Sequence, residues 1–121
     1  MNIVFFFHAA YLGGVEKFSL NLLDFLKFNN KLFVYCSLPE YTRQLKSQNI
    51  NCTNLFMGKK IGGQKSFFLM LLFSPYFFIR YLLILKNHLA LRNETIIVLQ
   101  SLNEKILISP LAYLLGFKIL W

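Results

Sequence analysis

The feature that most constrains this chain is its opening: Ile3-Val4-Phe5-Phe6-Phe7 is a continuous apolar run, bounded by polar residues and followed, after a turn, by a helical pattern. A strand with one face in water alternates apolar and polar side chains, whereas an uninterrupted run needs cover on both faces. Such a strand belongs in the middle of a sheet. After Gly13-Gly14, residues Val15, Phe18, Leu22, Leu23, Phe25 and Leu26 recur at helical spacing to about Phe28. Glu16 lies in the first turn, where the helix dipole favours an anion.

The alternation of strand and helix continues along the chain. Leu32 to Cys36 predicts a second strand, Pro39 suits the first turn of a short helix over Tyr41 to Gln48, and Ile50 to Phe56 predicts a weaker third strand. A basic, glycine-containing loop from Gly58 to Lys65 leads into an apolar stretch from Phe67 to Leu85. There Ser74-Pro75 predicts a break, with a new helix from Pro75 to about His88. Thr95 to Leu99, mostly β-branched, predicts a fourth strand. Asn103 can cap a helix that runs to about Leu115 with a kink or restart at Pro110, and Gly116 closes it before a last strand over Phe117 to Trp121. The pattern predicts an α/β fold: a Rossmann-like parallel sheet with helices on both faces, joined by right-handed crossovers.

With 121 residues the chain has room for one small domain. Hydrophobic residues make up 56%, Phe alone contributes 14, and charged residues reach 15%, which excludes disorder and leaves surplus apolar surface to be covered. A net charge of +8 suits nucleic acid, an anionic membrane or a phosphorylated substrate. The lysines are scattered and no RNA-stacking pattern of aromatics is present, so no nucleic acid partner is expected. Cys36 and Cys52 fall on consecutive expected strands, where a disulfide is geometrically conceivable but not required; two buried thiols are the simpler reading. Neither has a neighbouring Cys or His at a metal-ligand spacing, so no metal site is expected. The opening lacks a basic flank, and Ile3 to Phe7 is shorter than a signal sequence requires, which suits a cytoplasmic domain.

In parallel α/β sheets ligands bind outside the carboxyl ends of the strands, which directs attention to His8 to Gly14, Ser37-Leu38, Gly58 to Lys65 and Gln100 to Asn103. Gly13-Gly14, directly before a helix, lets backbone approach a ligand closely and offers free N–H groups to a phosphate; the plainer reading is a tight turn. The positions after Gly14 do not complete the dinucleotide fingerprint. Gly58 to Ser66 is similar to a P-loop, yet Gln64 separates Gly63 from Lys65 and misplaces the lysine, so a solvated basic loop is the simpler reading. His8 ends the first strand and can face the cleft, against the simpler alternative of a structural histidine. His88 near a helix C-terminus reads as a dipole contact. Ser101 lacks the surroundings of a nucleophile, and no catalytic residue is identified. The acceptor triplets at Asn51 and Asn93 carry little weight without a secretory signal.

Phe67 to Leu85 is long enough to cross a bilayer. Its apolar residues each contribute about −0.3 to −0.6 kcal/mol at the membrane centre, and Arg80 costs about 2.5 to 3.5 kcal/mol, so the sum is only marginally favourable. The expected break at Pro75 and basic residues on both flanks (Lys59, Lys60 and Lys65 before, Lys86 after) favour two helices packed on the sheet. These would leave an apolar, basic-rimmed face lying on a membrane. The alternative is a small membrane-inserted protein with a span at 67–85 and no enzymatic role. A third reading, a nucleotide-binding module, would use Gly58 to Ser66.

The segment Asn2 to His8, with Gly13-Gly14-Val15-Glu16-Lys17 and Leu20-Asn21-Leu22-Leu23, resembles the N-terminal domain of family 4 glycosyltransferases. Thr95 to Ser101 and Ile108 to Trp121 resemble the strand, helix and strand before that family's acceptor-side loop; the middle of the chain matches poorly. The resemblance implies an incomplete acceptor-side lobe of a GT-B fold over 1–121, with the C-terminal donor-binding lobe absent. It implies sugar transfer from a nucleotide-sugar donor, without a metal or other cofactor, to a glycan or lipid-linked acceptor. Gly13 and Gly14 would lie against the donor diphosphate, and His8, Gln100 and Ser101 would border the cleft on the acceptor side. Without the second lobe and its spaced glutamates the chain alone is expected to be inactive, and peripheral on the inner face of the membrane.

Overall fold

The computed structural model describes residues 1–58 and 60–121. Lys59, named above on the flank of the apolar stretch, lies outside the described residues. Five parallel strands, β1 (Asn2–Phe7), β2 (Lys31–Cys36), β3 (Cys52–Asn54), β4 (Thr95–Leu99) and β5 (Lys118–Leu120), form one sheet in the order β3-β2-β1-β4-β5. Four helices connect them: α1 (Gly14–Leu26), α2 (Pro39–Ser47), α3 (Gln64–Lys86) and α4 (Leu102–Leu114). This is the Rossmann-like α/β arrangement that the strand–helix alternation predicts. The third and fifth strands are shorter than the expected 50–56 and 117–121, and each is an edge strand paired on one side only.

All six residues of β1 are buried, and the strand is central. Its side chains alternate between two cores, as the period of two requires. Ile3, Phe5 and Phe7 join Leu20 and Leu23 of α1 and Tyr41 and Leu45 of α2. Val4 and Phe6 join Met70, Phe77, Tyr81 and Leu85 of α3 and Leu107, Ile108 and Ala112 of α4. Helices therefore cover both faces. Cys36 and Cys52 are free, buried thiols, and burial pushes Cys36 up to about 12.

Three local expectations change. No break occurs at Ser74-Pro75: α3 runs unbroken for 23 residues, about 34 Å. Pro75 has no N–H for the Leu71 carbonyl, and the Ser74 hydroxyl donates to that carbonyl instead at 2.8 Å. The orphaned acceptor is thus satisfied without leaving the helix. At Pro110 there is no restart: the residue sits inside one helix α4, on its exposed side. Asn103 does not cap α4. Ser101 is the N-cap, and Asn103 Oδ1 instead accepts the Ile61 N–H at 3.0 Å, tying the β3–α3 loop to α4.

Candidate functional site

The strand order reverses direction at β1 and β4, so the loops leaving their carboxyl ends diverge to opposite faces of the sheet. In open parallel sheets that divergence opens a crevice for ligands. His8 to Gly13 leaves β1 and Gln100-Ser101 leaves β4, so His8, Gly13, Gly14, Gln100 and Ser101 are brought to one end of the molecule.

Glu104 organises this end. Its carboxylate accepts the main-chain N–H of His8, and also those of Gln100 at 3.1 Å and Ser101 at 2.8 Å. It is the N3 member of a capping box opened by Ser101, whose hydroxyl also donates to the His8 carbonyl at 3.1 Å. One buried side chain thereby fixes both loops. Burial pushes Glu104 up to about 7, while the N–H donors of Ser101, His8 and Gln100 pull the other way. The sequence carries this signal as Ser101-x-x-Glu104 before an apolar run, and composition alone does not single it out.

The other site residues fall into place around it. Gln100 Oε1 accepts the Ser19 hydroxyl at 3.1 Å, joining β4 to α1. Ser37 bridges to the Ala9 main chain, donating at 3.0 Å and accepting at 3.1 Å. The Gly13 N–H donates to Glu16 Oε2 at 3.0 Å, so this donor already has a partner. A Cβ on Gly13 would sit 2.9 Å from that oxygen and 3.0 Å from the Tyr11 ring, whereas one on Gly14 would meet nothing within 4 Å. At Gly13 a side chain would crowd only the ends of the Glu16 and Tyr11 side chains, which can give way, and the space over Gly14 is open. His8 is 5% exposed rather than projecting freely, and its Nδ1 has no hydrogen-bond partner among the described residues. Burial lowers its pKa first; the nearby Gly58 carbonyl raises it and Lys60 lowers it again. His88 is not a simple dipole contact: its Nε2 pairs with the Tyr35 hydroxyl at 3.1 Å, and its ring meets Phe33 edge-on.

The β3–α3 loop borders a second hollow that the sequence does not announce. Between this loop and the first half of α3 lies an apolar cavity of about 480 Å³, lined among others by Phe56, Met57, Leu69, Met70, Phe73 and Phe77. Gly58 forms part of its wall, on the same loop that approaches His8. An open groove lined by Lys60, Gly62, Gly63 and Lys65 adjoins it through Ser66, which borders both. Along α3, Phe68, Leu72, Phe73, Ile79 and Leu83 are exposed, while Met70, Phe77, Tyr81 and Leu85 pack on the sheet. Among the described residues no group of His, Cys, Asp or Glu could hold a metal ion.

No family model, curated protein or solved structure matches this chain. The class that the fold defines is a small Rossmann-like α/β domain whose strand order reverses between β1 and β4. Its outer helix is both apolar and uncovered.

Proposed function

We propose that this domain is the acceptor-side lobe of a GT-B glycosyltransferase, which transfers a sugar from a nucleotide-sugar donor to a glycan or lipid-linked acceptor. The observation that carries the reading is the Gly13-Gly14-x-Glu16 turn at the point where the strand order reverses, with open space above Gly14. A diphosphate could approach the backbone there at the N-terminus of α1. In this reading His8, Gln100 and Ser101 border the crevice on the acceptor side. Catalysis is assigned to no residue of this chain; the donor's nucleotide is held by the second lobe in this reading.

The domain works at the inner face of a membrane in this proposal, with the apolar outer face of α3 lying on lipid. A span across the bilayer is the second reading, and the unbroken length of α3 favours it. Against it, Met70, Phe77, Tyr81 and Leu85 belong to the core on one face of the sheet, so the sheet would have to enter hydrocarbon as well. Alkaline carbonate extraction separates the two: release supports the peripheral reading and retention the span.

The crevice is tested by following backbone amide resonances during titration with uridine diphosphate and its sugar conjugates. Shifts at Gly14, Gln100 and Ser101 that Gly14→Ala removes without loss of stability support the reading. Shifts confined to residues 60–66 move the site to the basic loop and overturn it.

A further inference from the structure

The positive charge of this chain is not evenly spread. Residues 41–93 hold eight of its thirteen Lys and Arg and none of its five acids, so the whole excess of +8 belongs to that segment. Arg43 and Lys46 of that segment lie on α2, across the sheet; the rest of it builds α3, its exposed apolar face, the apolar cavity and the adjoining groove, which Lys60 and Lys65 line. Cations bordering uncovered apolar surface are the arrangement that anionic lipid complements. The cavity adds something a flat amphipathic face lacks. At about 480 Å³ it is within the range of small-molecule sites, and Leu69 and Phe73 at its wall are about half exposed, so it can be entered from the lipid side of α3.

We infer that this cavity takes one hydrocarbon chain of a membrane lipid carrying a phosphate headgroup, and that Lys60 and Lys65 receive the phosphate in the adjoining groove. The inference rests on the reading of α3 as the membrane-facing helix. The occupant is a bilayer lipid for two reasons. An apolar cavity offers a free phosphate nothing, and a neutral lipid leaves the two lysines unmatched. Gly58 joins the cavity wall to the loop over His8, so a lipid seated here has its headgroup on the strand-end side of the domain. The site therefore gives the crevice a lipid-borne phosphate as neighbour. Arg80 contributes by position: it donates to the Phe56 carbonyl at 3.3 Å and the Tyr76 hydroxyl at 3.2 Å, which holds the β3–α3 segment that forms one wall.

The test uses dioctanoyl phosphatidic acid below its micelle concentration, titrated into the full chain and read by native mass spectrometry and calorimetry. One lipid per chain is expected. Dioctanoyl phosphatidylcholine and inorganic phosphate should each bind at least about ten-fold more weakly. Phe73→Asp and Leu69→Asp, at exposed wall positions, should each weaken the phosphatidic acid by about ten-fold or more, and Lys60→Glu with Lys65→Glu should do the same. Leu83→Asp, on α3 away from the cavity, should leave monomeric lipid binding intact while reducing sedimentation with anionic vesicles. Equal binding of inorganic phosphate overturns the inference, as does indifference to both wall variants. Vesicle binding without monomeric lipid binding overturns the cavity site and spares the membrane-facing reading; loss of both removes that reading too. A dimer that Phe73→Asp dissolves, with no lipid bound, assigns the face to a second copy and also overturns it.

Discussion

The carboxylate of Glu104, at the start of α4, accepts the main-chain N–H of His8, 96 residues earlier in the chain at the end of β1. That bond, with those from Gln100 and Ser101, holds the two strand-end loops at a fixed separation. Replacing the side chain with alanine strands three N–H groups, that of His8 buried and those of Gln100 and Ser101 part-buried. Glu104→Ala should therefore lower stability by about 3 kcal/mol, read as a fall in the urea midpoint without a change in slope. A loss under about 0.5 kcal/mol would mean that the loops do not depend on this residue.

The same carboxyl makes stability depend on pH. Its folded value is raised from 4.5 to about 7, so between those limits the folded state holds a proton that the unfolded state has released. Its contribution is full below about pH 4.5 and is lost as pH rises through 7. His8 and His88 work in the opposite sense below 6.5, since burial lowers both and the unfolded chain takes up their protons first. Comparison with Glu104→Gln isolates the carboxyl: the wild type should lose about 3 kcal/mol relative to the variant from pH 4.5 to 7.5. A relative gain over that range would mean that the three N–H donors outweigh burial.

Gly58 is demanded by its surroundings in two ways. Its φ is +78°, in the left-handed region, and an added Cβ would lie 2.7 Å from Cζ of the buried Phe77 ring. Gly58→Ala should cost about 2 to 3 kcal/mol in urea unfolding and close part of the apolar cavity. Gly62, in the same loop with nothing within 4 Å, provides the control: Gly62→Ala should stay within about 0.5 kcal/mol of wild type. Equal effects at the two positions would contradict the packing described.

The two sides of α3 should respond oppositely. Tyr81 is 1% exposed and stacks with Phe77 and edge-on with Phe6, so Tyr81→Ala should cost about 3 to 4 kcal/mol. Leu72 is 70% exposed, and Leu72→Asp should change stability by less than about 0.5 kcal/mol while reducing binding to anionic vesicles. Substantial unfolding by Leu72→Asp would place that face against protein instead.

The amino-acid order determined the fold class of this protein. The unbroken run Ile3 to Phe7 requires cover on both faces, the β-branched run at Thr95 to Leu99 requires a strand, and helical spacing separates them, so a parallel sheet follows from local patterning. The loops at strand ends are equally visible, because Gly13-Gly14 and Gln100-Ser101 follow directly from where the strands stop. Tertiary structure decided what those loops do. A side chain at Gly13 would crowd Glu16 and Tyr11 while Gly14 is open, a difference that two adjacent glycines cannot express in sequence. Glu104 reaches across 96 residues to His8, and no local pattern encodes that distance. Ser74 rescues the Leu71 carbonyl, so a proline that reads as a break lies inside one helix. The apolar cavity and its basic edge exist only because the β3–α3 loop folds back over α3; spacing along a chain reports periodicity, whereas a cavity is made by surfaces that meet across it.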